Sequence, residues 1–205
     1  MISMRRNFKI LLCLAVIIFT AVLTPGLNFL IPVDAGYTKS GKTAGGYVVF
    51  TEKNIKTEDM RRKSKLDKKK LAEYMKKYPG LSGIEDTLLE IQDEYQVNAI
   101  LILAIVRLES GNGKSNIAQT RNNLGGIIVK EKSVRVYKSF DTRSDCVIYM
   151  AKLISEDYLT EGGKYYSGHT LSDIAGRYSA SPDKWSNLVK DMICEIQDGI
   201  DKIVV

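Results

Sequence analysis

Eight consecutive residues, Ala99 to Val106 ("AILILAIV"), are apolar. On a helix they leave no polar face, so that helix has to be enclosed by other elements on every side. The ends of the run favour a helix. Asn98 stands in front of it as an N-cap, and Gly111 and Gly113 stand behind it as a stop. A central helix over Ala99–Ser110 therefore demands amphipathic partners, and the sequence supplies them. Ile84, Leu88, Ile91 and Tyr95 recur at helical spacing with acidic residues between them. "SDCVIYMAKLISEDYL" and "LSDIAGRYS" read as helices, and "SPDKWSNLVKDMICEIQDGI" opens with Ser181 as N-cap and Pro182 at the first helical position. The only β-like stretch is "GGIIVKEKSVRVY", Gly125 to Tyr137. No internal repeat is present. Residues 65–205 read as one mainly α domain with a small β-lobe.

The material in front of that domain is different. "MRRNFK" is basic, and Ile10 to Val33 is apolar apart from Thr20, Thr24 and Asn28. Residues 1–35 thus read as a signal peptide or an N-terminal membrane anchor. The stretch is long enough to span a bilayer, while Pro25, Gly26 and Pro32 interrupt it and "VDA" suits cleavage. Both outcomes place the remainder at the outer face of the membrane. Residues 36–64 read as a linker, rich in glycine and without period, that runs into the basic stretch "RRKSKLDKKK" (Arg61–Lys70). That stretch is either the solvated start of a helix or an electrostatic tether to an anionic surface. The net charge of +6 does not point to nucleic acid, since export and the lack of interleaved aromatics argue against it. With one histidine, His169, and three cysteines there is no metal-ligand cluster, and no cofactor is expected. Cys146 and Cys194 could pair outside the cytoplasm or stay as buried thiols.

The central helix ends on a carboxylate, Glu109. Apolar surroundings and the negative end of the helix macrodipole both disfavour its charged form. Both terms raise the pKa, as a general acid working near neutral pH requires. The plainer reading leaves Glu109 exposed or paired with Arg107 or Lys114.

The neighbouring segments weigh on that choice. "AIVRLESGNGKSNIA" (Ala104–Ala118), "NNLGGI" (Asn122–Ile127), "VYKSFDTRSDCVIYMAKLI" (Val136–Ile154) and "RYSASPDKWSNLV" (Arg177–Val189) occur in this order. The set resembles the bacterial glucosaminidase domain of glycoside hydrolase family 73, over about Leu81 to Ile200. The resemblance implies a lysozyme-like helical fold with a glycan cleft between the helical body and a small β-lobe. It implies an endo-β-N-acetylglucosaminidase acting on peptidoglycan glycan strands between N-acetylglucosamine and N-acetylmuramic acid.

By the same resemblance Glu109 is the acid that protonates the glycosidic oxygen, and Tyr178 lies beside the cleaved sugar. Asn122 and Asn123 match residues that shape the cleft floor, though asparagines before two glycines also suit a plain turn. Trp185 either stacks on a sugar or belongs to the core. Many members carry a second carboxylate in the β-lobe, where this chain offers Glu131, with Asp141 just beyond. Glu131 between two lysines also suits a solvated hairpin tip, and the substrate's own 2-acetamido group is then the nucleophile. Two other outcomes share the fold. One is a lytic transglycosylase, although "NNLGGI" replaces the "GLMQ"-like stretch of such enzymes. The other is a catalytically silent wall-binding module.

Overall fold

The structure, a computed structural model, describes residues 46–131 and 134–205. The signal or anchor expected over residues 1–35 and the first part of the expected linker lie outside those residues. Among the described residues no helix is long and apolar enough to cross a membrane.

The chain runs through β1 (Tyr47–Val48), β2 (Lys63–Ser64), α1 (Lys68–Met75), a 3-10 turn (Pro79–Leu81), α2 (Glu85–Glu94), α3 (Ala99–Ser110) and α4 (Asn116–Arg121). It continues through β3 (Ile128–Glu131), β4 (Val134–Tyr137), α5 (Arg143–Leu153) with a π-helical turn (Ile154–Leu159), α6 (Leu171–Tyr178) and α7 (Pro182–Asp201). The expected mainly helical body with a small β-lobe is present.

Helix α3 is the centre of it. Every residue from Ala99 to Arg107 is buried, and α2, α5, α7 and β2 pack around the helix. Burial of each of its leucines and isoleucines is worth about 1.5–3 kcal/mol. The Asn98 side chain accepts from the backbone N–H groups of Ile100 (2.9 Å) and Leu101 (3.1 Å). At the other end Gly111 takes the left-handed conformation (φ 58°), which a residue without Cβ adopts at little cost.

One cation is buried on α3. The Arg107 guanidinium pairs with Glu195 of α7 (2.8 Å), donates to the Tyr74 hydroxyl (2.5 Å) and to Asn112 Oδ1 (2.8 Å), and lies 4.0 Å from the Tyr78 ring centroid. Tyr74 and Tyr78 each donate to Glu195 Oε1 (3.0 Å). Arg107 is thus occupied elsewhere and does not neutralise Glu109.

The stretch in front of α1 departs from the sequence reading. Residues 46–64 are not a linker but a strap folded onto the helices. β1 and β2 pair in parallel, and Val48, Phe50, Ile55 and Met60 are buried in the common core. The Met60 backbone accepts from Asn98 N–H (2.8 Å) and donates to the His169 carbonyl (2.8 Å), which ties the strap to both the central helix and the loop before α6. The apolar residues of the strap have no helical or alternating period, so nothing local marks them as core.

The basic run divides as well. Arg61 pairs with Asp59 (2.6 Å), Arg62 with Glu58 (2.8 Å), Lys63 with Asp93 and Lys68 with Asp86 (2.8 Å). The helix itself begins only at Lys68, behind the Asp67 cap. Four of the seven cations expected to face an anionic surface are therefore matched by carboxylates of the same domain. Cys146 is buried, Cys194 is half-buried, and both are free thiols.

Candidate active site

Glu109 sits in the last turn of α3, two residues before the left-handed Gly111. The turn beyond it is fixed by close packing. Ser110 Oγ donates to the Val106 carbonyl (2.6 Å) and accepts from Gly113 N–H (2.7 Å). Gly113 lies against Gly80 of the 3-10 turn, where a Cβ on Gly80 would come within 2.8 Å of the Asn112 and Gly113 carbonyl oxygens. Two backbones cross at this point, and only glycine leaves room for the approach.

The Glu109 side chain is partly exposed at the mouth of an aromatic cluster. Trp185, in the first turns of α7 and 4% exposed, donates from Nε1 to Glu109 Oε1 (3.3 Å). Its ring lies 4.7 Å, centroid to centroid, from that of Tyr178, the last residue of α6. Tyr178 in turn packs on Tyr158 (5.7 Å), and Tyr158 on Tyr165 (5.0 Å). Pro182 starts α7 as expected, and Ser181 accepts through its carbonyl from Trp185 N–H (3.0 Å) without a side-chain cap.

Burial pushes the Glu109 carboxyl above its ordinary range, and the Trp185 hydrogen bond pulls it part of the way back. Burial also raises the Tyr178 phenol, with a further contribution from the Glu109 charge. The site therefore holds the proton of the Glu109 carboxyl to higher pH than an ordinary glutamate does and can deliver it to a basic oxygen placed against the rings.

A substitution reads this arrangement directly. Trp185→Phe keeps the ring packing and removes the donor that stabilises the carboxylate. The Glu109 pKa then moves further up, so the alkaline limb of the pH–activity profile shifts to higher pH, with turnover at the optimum within about tenfold of native. A profile that stays in place or moves to lower pH contradicts the hydrogen bond's role.

Of the residues named from the sequence, the structure brings Glu109, Tyr178 and Trp185 together. Trp185 is not an open sugar platform; its indole is buried and bonded to Glu109. Asn122 and Asn123 are spent on the fold. Asn122, in the left-handed region at the end of α4 (φ 50°), donates to the Phe140 (3.1 Å) and Asp141 (2.9 Å) carbonyls. Asn123 is fully buried. Its Nδ2 donates to the Ile127 (2.8 Å) and Lys138 (2.9 Å) carbonyls, and its Oδ1 accepts from Ile127 N–H (2.8 Å). These amides hold the root of the β-lobe instead of facing a ligand.

Glu131 is exposed, opposite Val134 at the outer end of the β3–β4 pair, and Asp141 is exposed just before α5. Sequence reasoning missed Tyr158 and Asp157 on the π-helical turn. Tyr158 extends the aromatic wall, and burial raises the Asp157 carboxyl against the opposing pull of Lys164. Nothing in "SEDYL" separates a π turn from the continuing α-helix. Among the described residues no group of His, Cys, Asp or Glu side chains is arranged to hold a metal ion.

A sequence model of the Glucosaminidase family, mannosyl-glycoprotein endo-beta-N-acetylglucosaminidase, matches residues 85–198. The chain is 28% identical over 138 residues to the protein named "Putative endo-beta-N-acetylglucosaminidase" in two strains of Streptococcus pneumoniae, TIGR4 and R6. Each match covers 63% of this chain but only 21% and 19% of the relatives, so the chain spans about a fifth of their length. The fold is similar to that of S. aureus Autolysin E. A catalytic mutant of that protein in complex with the disaccharide NAG-NAM superposes with a TM-score of 0.55 at 17% identity, covering 70% of this chain and 72% of the other. The same protein in complex with the muropeptide NAM-L-Ala-D-iGlu gives 0.53 at 16% identity, with the same coverage.

Proposed function

Since the chain belongs to the mannosyl-glycoprotein endo-beta-N-acetylglucosaminidase family, we propose that it is a peptidoglycan hydrolase that cleaves the β-1,4 bond after N-acetylglucosamine, with Glu109 as general acid. The observation that carries this is a carboxyl raised by burial, held by Trp185 and backed by Tyr178, at the open end of the central helix. The peptidoglycan fragments bound by Autolysin E support the substrate class.

In the reaction Glu109 gives its proton to the oxygen that joins the two sugars, and the C1–O bond breaks. Glu131 lies exposed at the outer end of the β-lobe and Asp141 is exposed before α5, which supports the acetamido route over a nearby carboxylate nucleophile. The acetamido oxygen of the N-acetylglucosamine then bonds to its own C1. Water opens the resulting ring at C1 and returns a proton to the Glu109 carboxylate, so that acid and base roles alternate on one residue. The Tyr178 phenol, raised by burial, stays protonated throughout and remains a donor toward the sugar.

Mass spectrometry of the products from purified peptidoglycan tests the proposal. Fragments ending in reducing N-acetylglucosamine are expected. Ends of 1,6-anhydro-N-acetylmuramic acid would assign the chain to the transglycosylases, and an absence of products would leave a wall-binding module.

A further inference from the structure

Basic residues crowd a second stretch of the chain besides Arg61–Lys70. Residues 111–143, which hold α4 and the β-lobe, carry seven Lys and Arg against two Asp and Glu, in a chain whose net charge is +6. In the Arg61–Lys70 run Arg61, Arg62, Lys63 and Lys68 are each matched by a carboxylate. Lys114, Arg121, Lys130, Lys138 and Arg143 take part in no ion pair among the described residues.

The contacts these cations do make are neutral. Arg121 Nη1 donates to the Tyr137 carbonyl (3.2 Å) and Ser139 Oγ (3.1 Å), and Lys138 Nζ lies 5.3 Å from the Phe140 ring centroid and 5.6 Å from that of Tyr149. Lys114, Arg121 and Lys130 are exposed. A run of contacts joins the lobe to the site. Phe140 packs on Tyr149 (5.5 Å) and donates from its backbone N–H to the Arg121 carbonyl (2.9 Å), and α4 is tied to the turn after Glu109 by the bond from Ser115 N–H to the Ser110 carbonyl (2.9 Å). Cys146 Sγ accepts from Leu124 N–H (3.2 Å) at the root of the lobe. Tyr178 is beside Glu109. A group of cations without carboxylate partners attracts an anionic ligand.

We propose that the β-lobe is a carboxylate-reading subsite, so that the enzyme prefers glycan strands whose stem peptides carry free carboxylates over amidated or neutral strands. This rests on the hydrolase reading only for the identity of the glycan. The group of cations stands in the structure without it.

The test uses the full chain with Glu109→Gln, which removes turnover, and titration calorimetry. The ligands are a disaccharide-peptide with free carboxylates, its amidated counterpart, and a neutral chitooligosaccharide. The free-carboxylate form is expected to bind at least about tenfold tighter than the amidated form in low salt, with the gap closing as salt rises. Lys114→Gln, Lys130→Gln and Lys138→Gln combined should close most of that gap and leave the affinity for the neutral oligomer within about twofold. Equal affinities for the two peptides, a gap untouched by the triple substitution, or no measurable binding of any of the three overturns the proposal. Native protein separates the two readings. A binding gap without hydrolysis rejects the hydrolase and keeps the subsite. Hydrolysis with equal kcat/KM on free and amidated strands rejects the subsite and keeps the hydrolase.

Discussion

Glu109→Gln lowers turnover of purified peptidoglycan by at least about a hundredfold while the protein stays folded. The amide keeps the size of the side chain and can still pair with the Trp185 indole N–H, but it has no acidic proton to give, and general acid catalysis contributes about 10²–10⁴-fold. Stability moves the other way. A carboxyl whose folded pKa lies above its unfolded value holds its proton more tightly when folded. Its contribution to stability is full below the unfolded pKa and is lost as pH rises through the folded pKa. At neutral pH the native protein therefore carries a penalty that the glutamine lacks, and the variant melts at a higher temperature there than native protein, with the gap closing toward acid pH. Activity of native protein falls on the alkaline side as Glu109 loses its proton. Glu131→Gln serves as the control. On the exposed end of the lobe, with no part in the acetamido route, it keeps activity within about tenfold of native. An equal hundredfold loss there would make Glu131 the second carboxylate and end the acetamido scheme. A Glu109→Gln protein with native turnover would end the assignment of the acid.

Asn98→Ala is expected to be the most damaging single change to the fold. This side chain is fully buried and serves four groups at once. Its Oδ1 accepts from Ile100 and Leu101 N–H and from Ser64 Oγ (2.9 Å), and its Nδ2 donates to the Arg62 carbonyl (2.8 Å). Loss of an N-cap costs about 1 kcal/mol. Each buried polar group left without a partner adds about 1–3 kcal/mol. Partial relaxation and entry of water reduce the total, so about 3 kcal/mol is expected, a fall of roughly 6–12 °C in melting temperature for a domain of this size. Thermal unfolding followed by circular dichroism measures it. Asn98→Asp, which keeps the acceptor and loses the donor, should fall between. A loss below about 1 kcal/mol for the alanine would show that the cap alone matters and that the tie to the strap contributes nothing.

These two residues also mark how far the sequence could be read. The central helix was legible from end to end, because a uniform apolar run between Asn98 and Gly111 admits one local solution. The position of Glu109 followed from it. Tyr178 and Trp185 were legible only through resemblance. Their meeting with Glu109 depends on how α6 and α7 cross α3, and local pattern does not encode that crossing. The strap was misread for a related reason. Val48, Phe50, Ile55 and Met60 are buried one at a time along an irregular path, so no period exists to detect. Within the basic run, the pairing of Arg62 with Glu58 lies within reach of local spacing, whereas the partners of Lys63 and Lys68 come from α2 and appear only with the tertiary fold. For Asn123 the sequence left cleft floor and turn open, since one amide can serve a loop or a ligand equally well, and its bonds in the structure are those of the turn.

The strap also separates the limit of similarity from the limit of autonomy. The family match opens at residue 85, inside a body whose apolar interior is completed by residues as early as Val48. A fragment trimmed to the matched span would lose α1, with the Tyr74 and Tyr78 rings that enclose Arg107, together with the Gly80 backbone against which the turn after Glu109 is seated. Such a fragment would retain the acid and discard the walls that hold it in place. The smallest self-sufficient piece of this protein therefore reaches well upstream of the span that the family model matches.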